Sequence, residues 1–143
     1  MAKIDKVLLT GKTHTTATKP GDHNSSVNLK LSGTGAKDIT FEAIAAHPTA
    51  EQLFAGAWSS CYTLALGLAA EKSKVTLPAT TSVDIEVDLG ITGGAYFIGA
   101  RFTVNLPGLE QDEASKVAHL ADTFCPYSKA VHGNIDIDFK VKV

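Results

Sequence analysis

The chain has 143 residues, 44% of them hydrophobic, and a formal net charge of −2. That suits one domain (1–143) with a real core, and it offers no electrostatic case for nucleic acid or an anionic membrane surface as partner. Two cysteines, Cys61 and Cys125, are too few for a secreted disulfide scaffold, and MAKIDKVLLTGK holds no apolar run of signal-peptide length. The expected location is the cytoplasm, where a disulfide is more often transient and catalytic than structural.

Residues 4–10 read as a short strand, and the Thr-rich stretch after them begins β-prone and ends as a turn at Pro20-Gly21. Ser26 to Ser32 alternates Val27, Leu29 and Leu31 against polar residues, the pattern of a half-buried strand, and Gly33-Thr34-Gly35 reads as a turn. The GTGAK that starts there lacks Walker spacing and is not a phosphate loop. Residues 38–46 are ambiguous between strand and helix.

Glu51 to Ala70 reads as a long central helix. Pro48 biases His47 away from helical angles, Thr49 is a plausible N-cap, and Glu51 lies in the first turn, where the helix dipole favours negative charge. Phe54, Ala57, Cys61, Leu64, Ala65 and Leu68 recur at spacings of three and four and predict an apolar stripe. Leu53 to Ala70 carries no charge, so the helix is buried on all sides, either in a core or in a membrane. Its hydroxyls and glycines, and the amphipathic strands that need a core element, argue against the membrane. Full burial of such a helix is more than one sheet of this size covers, which suggests a partner subunit.

Ser82 to Leu89 alternates with Val83, Ile85, Val87 and Leu89 inward. Residues 91–94 make a hairpin turn, and Ala95 to Leu106 alternates again with Arg101, the only arginine, pointing away from the core. Glu110 to Thr123 predicts an amphipathic helix that stops near Cys125 because of Pro126, which can itself start a short helix. Residues 135–143 are a last strand. The expected fold is α+β, an antiparallel sheet with helices on one side.

A cysteine on an apolar helix is most often core packing. Cys125 differs, because it sits where one helix ends and another can begin, beside unpaired backbone N–H groups able to stabilise a thiolate. The five histidines show no metal-ligand spacing, neither HExxH nor CxxC occurs, and Ser59-Ser60 lack the glycine frame of a nucleophile elbow.

The motifs Glu51-Gln52-Leu53-Phe54-Ala55 leading to Ser60-Cys61, Asn105-Leu106-Pro107-Gly108, Cys125-Pro126-Tyr127-Ser128 and Gly133-Asn134-Ile135-Asp136 resemble the organic hydroperoxide resistance/osmotically inducible (Ohr/OsmC) family over nearly the whole chain, the Ohr branch in particular. The resemblance implies an OsmC-like fold, an intertwined homodimer with active sites at the interface. It also implies a thiol-dependent peroxidase for lipid-like organic hydroperoxides. Cys61 would be the peroxidatic thiolate, oxidised to a sulfenic acid, and Cys125 would close a disulfide with it. The reductant would be a lipoyl-type dithiol, with no bound metal, haem or flavin. Glu51 matches the family's active-site glutamate. Ten residues of helix put it about 15 Å from its own Cys61, so it is expected to serve the partner subunit's cysteine. The family's arginine after the first strand is absent, with Lys19 near that place, and Thr49-Ala50 stands where Asn-Pro is usual. Lysine brings charge without the bidentate fork. A redox-sensing or non-enzymatic member that binds an apolar ligand is the alternative reading.

Overall fold

The computed structural model describes residues 4–22, 27–35 and 49–143. The ambiguous 38–46 segment, His23, and His47-Pro48 lie outside them. Five strands, β1 (Lys6–Ala17), β2 (Val27–Gly35), β3 (Ser82–Thr92), β4 (Ala95–Asn105) and β5 (Asp136–Lys142), form one sheet in the order β2-β1-β3-β4-β5. Three helices are described: α1 (Ala50–Ser73), α2 (Gln111–Phe124) and α3 (Pro126–Val131).

Two expectations for the sheet are corrected. Gly33-Thr34-Gly35 is not a turn but the end of β2, paired with Leu9 to Gly11 of β1. The sheet is not wholly antiparallel, because β5 runs parallel to β4. The cause is the connection: α2 and α3 carry the chain back across the sheet, as a parallel pair requires. The hairpin between β3 and β4 is as read, with Gly93 and Gly94 both at positive φ (56° and 82°) in a two-residue loop between Thr92 and Ala95.

β1 buries Leu9, Gly11, Thr13 and Thr15 on alternate positions. Its inward threonines are satisfied: the Thr15 hydroxyl donates to Ser59 Oγ at 2.8 Å. Gly11 is where the start of α1 lies on the strand. A Cβ there would stand 2.6 Å from Gln52 N and 2.7 Å from the Glu51 carbonyl carbon. Gly11→Ala is therefore expected to cost about 1–3 kcal/mol by overpacking, read as a lower urea midpoint at unchanged slope.

On the outer face Lys12, Glu86 and Arg101 sit opposite one another across three strands. Lys12 Nζ bonds Glu86 Oε1 at 2.6 Å, and Arg101 Nε donates to Glu86 Oε2 at 2.8 Å. Arg101 also bonds the buried Asp88, whose other partner is the Thr10 hydroxyl. The Lys12 bond, with Arg101, holds Glu86 below its ordinary value against partial burial. Burial alone would raise Asp88, but Arg101 and Thr10 hold it below. Arg101 thus points away from the core, as its register predicts, and belongs to the sheet's outer network.

α1 lies on the inner face and also packs against α2. Thr49 caps it in a full capping box: its hydroxyl accepts from Gln52 N–H at 3.1 Å and its own N–H donates to Gln52 Oε1 at 2.9 Å. Lys74 ends it in the left-handed region. By length and composition α1 could cross a membrane, but 61% of its most apolar window is buried inside the fold. The expected stripe is corrected. Of its members only Ala65 is buried, whereas Ala57 is exposed and Phe54, Cys61, Leu64 and Leu68 are half-buried. The face against the core is Ala55, Trp58, Tyr62, Leu66 and Ala69. Trp58 and Tyr62 both pack on Phe102 of β4, at 5.2 and 4.5 Å between ring centroids. The Tyr62 hydroxyl donates to Ala118 O at 2.7 Å, tying α1 to α2.

Candidate active site

The fold brings the two cysteines together. Cys61, in the middle of α1, and Cys125, at the junction of α2 and α3, have their Sγ atoms 3.4 Å apart as free thiols. Cys125 is fully buried and Cys61 is half-buried.

The Cys125-Pro126-Tyr127-Ser128 segment explains the placement. Pro126 takes the first position of α3, where a missing N–H costs nothing. Cys125 is then the N-cap, its sulfur accepting from Ser128 N–H at 3.5 Å. The Tyr127 backbone N–H is directed at the Cys61 sulfur. Ser128 is fully buried, and its hydroxyl accepts from Trp58 Nε1–H at 3.0 Å. The motif is thereby fastened to the same helix that carries Cys61. Sequence reasoning passed over Trp58. The signal was available, since it is the chain's only tryptophan and stands three residues before Cys61.

Electrostatically Cys61 is held as a thiol. Burial, then the bond and charge of Cys125, pushes Cys61 up to about 11, against the lowering effect of the Tyr127 N–H. No cation contributes to that balance among the described residues. Nor do the described histidines, cysteines and carboxylates cluster in a way that could hold a metal ion.

Glu51 is not beside the thiols. It is 6% exposed, packed at the start of α1 against Gly11, and its Oε2 has no hydrogen-bond partner among the described residues. Lys19 lies in the exposed loop after β1. Its neighbours Ala17, Pro20, Gly21 and Asp22 form a small cleft with Thr63, Leu66 and Gly67 of α1. Within one chain, then, Cys61 and Cys125 meet, and Glu51 stands at the far end of the helix.

Comparison with known proteins agrees with this architecture. The family model described as OsmC-like protein matches residues 42–140. An organic hydroperoxide resistance protein of Xanthomonas axonopodis pv. citri is 31% identical over 148 residues, covering 96% of each chain. An uncharacterized protein of Acinetobacter baylyi is 32% identical over 139 residues, again 96% of each. Among solved structures, the organic hydroperoxide resistance protein OhrB of Bacillus subtilis superposes with a TM-score of 0.64 at 27% identity, covering 91% of this chain and 97% of that one. A putative organic hydroperoxide resistance protein of Vibrio cholerae, with captopril bound in one of its active sites, gives 0.62 at 28% identity, covering 90% of each. With its five-stranded sheet, long core helix and paired cysteines, the chain belongs to the OsmC-like family, among relatives associated with organic hydroperoxide resistance.

Proposed function

We propose that this protein is a thiol peroxidase that reduces organic hydroperoxides to alcohols in oxidative-stress defence. The observation that carries the reading is the 3.4 Å approach of a half-buried and a fully buried thiol from distant parts of the chain. The Cys61 thiolate attacks the outer oxygen of ROOH and the O–O bond breaks. RO⁻ leaves and takes a proton to become the alcohol, and Cys61 is left as the sulfenic acid. The Cys125 sulfur then displaces hydroxide from that sulfur, giving a disulfide and water. A lipoyl-type dithiol returns both thiols and becomes a cyclic disulfide itself. Phe54, Leu64 and Leu68, half-buried on the Cys61 side of α1, favour an apolar peroxide over hydrogen peroxide.

Activation is assigned to a second copy of the chain. A thiol near pKa 11 is about one part in 10⁴ thiolate at neutral pH, too little for fast chemistry, so the dimer must add a group. Half-buried and exposed residues (Leu53, Ala57, Cys61, Leu64) run along one side of α1. An antiparallel crossing of two such helices near Ala57 would set the first turn of one beside Cys61 of the other. Lys19 would supply the charge the family draws from arginine, and Glu51 would hold it in place.

The test is stopped-flow loss of thiols in the reduced protein with a fatty-acid hydroperoxide and with hydrogen peroxide. Oxidation of the organic substrate at least about tenfold faster than hydrogen peroxide, and far above the free-cysteine rate, is the expected result. Oxidation at the rate of a free thiol with both would favour a redox-sensing or apolar-ligand-binding role, which the raised Cys61 and the missing arginine support.

A further inference from the structure

We propose that Trp58 is a positioning residue for the thiol pair: through the Ser128 hydroxyl, its indole N–H holds the first turn of α3 against the two sulfurs. The inference rests on the reading of Cys61 and Cys125 as a redox pair.

α3 has six residues, too few to hold its own geometry in water. Its place depends on ties to the rest of the fold. The Trp58 ring is locked from two sides, by Phe54 edge-on at 6.0 Å and by Phe102 at 5.2 Å. A ring held in this way presents a fixed donor, and the donor meets Ser128 Oγ at 3.0 Å in a fully buried contact. The backbone N–H of the same Ser128 reaches Cys125 Sγ at 3.5 Å, and that of Tyr127 faces Cys61. One hydrogen bond therefore sets the position of the N–H that reaches the Cys125 sulfur, and of the Tyr127 backbone beside it. It also sets the reach of Cys125. The sulfurs stand 3.4 Å apart and a disulfide needs about 2.05 Å, so closure is a short movement only while the α3 start stays docked. Without the tether, Cys125 spends its time over a wider volume and its effective concentration at Cys61 falls.

The experiment equilibrates the full-length protein with reduced and oxidised dithiothreitol, with no peroxide present. In that exchange the protein's two thiols give up two electrons and two protons as their S–S bond forms. The S–S bond of oxidised dithiothreitol breaks and takes them up. Trp58→Phe keeps a ring and loses the donor, and Ser128→Ala loses only the acceptor. Each is expected to shift the equilibrium toward the dithiol by about threefold to tenfold, the worth of one buried hydrogen bond. The double variant is expected to shift it no further than the larger single. As the only indole, Trp58 also reports directly: in Ser128→Ala the emission of the dithiol form moves, and the change in emission between dithiol and disulfide shrinks. Where Trp58→Phe does not fold, Ser128→Ala and its emission carry the test.

Wild-type equilibria in the single variants, or shifts that multiply in the double, overturn the inference. Coupled shifts without rapid peroxide oxidation sustain it and sink the peroxidase reading. A pair that forms no disulfide at any dithiothreitol ratio overturns both.

Discussion

Replacing Cys61 by serine is expected to lower organic hydroperoxide reduction by on the order of 10³-fold or more, as removal of a reacting nucleophile does, while Cys125→Ser leaves the first oxidation within a few-fold of wild type and stops the cycle there. The two variants separate because of where the sulfurs stand. Cys61 is half-buried, whereas Cys125 is fully buried, with its sulfur 3.4 Å from that of Cys61. Folding does not confuse the result. Serine is itself a favoured N-cap, so Cys125→Ser keeps the acceptor that Ser128 N–H uses at the start of α3. Mass spectrometry after one equivalent of peroxide is expected to find a sulfenic acid on Cys61 in Cys125→Ser and a Cys61–Cys125 disulfide in the wild type. With excess peroxide Cys125→Ser is expected to climb to the sulfinic acid, and the wild type to stop at the disulfide. A Cys61→Ser protein that consumes peroxide at the wild-type rate would sink the assignment.

Local chemistry made much of the fold legible. Thr49 announced the start of α1, the Gly93-Gly94 pair announced the hairpin, and Pro126 announced the break between α2 and α3. The face of α1 was not legible, because eighteen uncharged residues leave periodicity nothing to contrast. Size decided it: Trp58 and Tyr62, one turn apart, fill the space over Phe102 and leave the smaller Ala57 outside. The parallel pairing of β5 follows from the α2–α3 crossover, a property of connection that alternation along a strand does not carry. The site was legible in part. Spacing says nothing about two cysteines from different elements, and the expectation that they act together came from the motifs around them. The Trp58–Ser128 bond depends on the packing of α3 on α1, which exists only once both are folded.

The remaining large effect concerns Glu51. Glu51→Ala in both chains is expected to lower the rate of thiol oxidation by on the order of 10²-fold, the cost of a misplaced reacting centre. The structure motivates a test of whose cysteine it serves. Glu51 is buried with one carboxylate oxygen unpartnered among the described residues, a costly state that a donor from a second subunit would relieve. It also lies about 15 Å along the helix from its own Cys61. A hybrid of one Glu51→Ala chain and one Cys61→Ser chain distinguishes the arrangements. If the glutamate acts across the interface, the intact Cys61 of the first chain meets the intact Glu51 of the second, and the hybrid keeps one complete site and about half the wild-type rate. If it acts within its own chain, both sites are broken and the hybrid is as slow as Glu51→Ala. The pH profile gives a second reading of the same point. Burial in the lone chain places Cys61 at about 11, so alkylation of a dissociated chain should rise about tenfold per pH unit through neutrality and level off only near that value. If a second subunit brings a cation to the sulfur, as proposed, the plateau is reached at lower pH in the dimer, because a nearby cation favours the thiolate. A dimer whose alkylation still climbs to pH 11 would show that the second subunit does not activate the thiol.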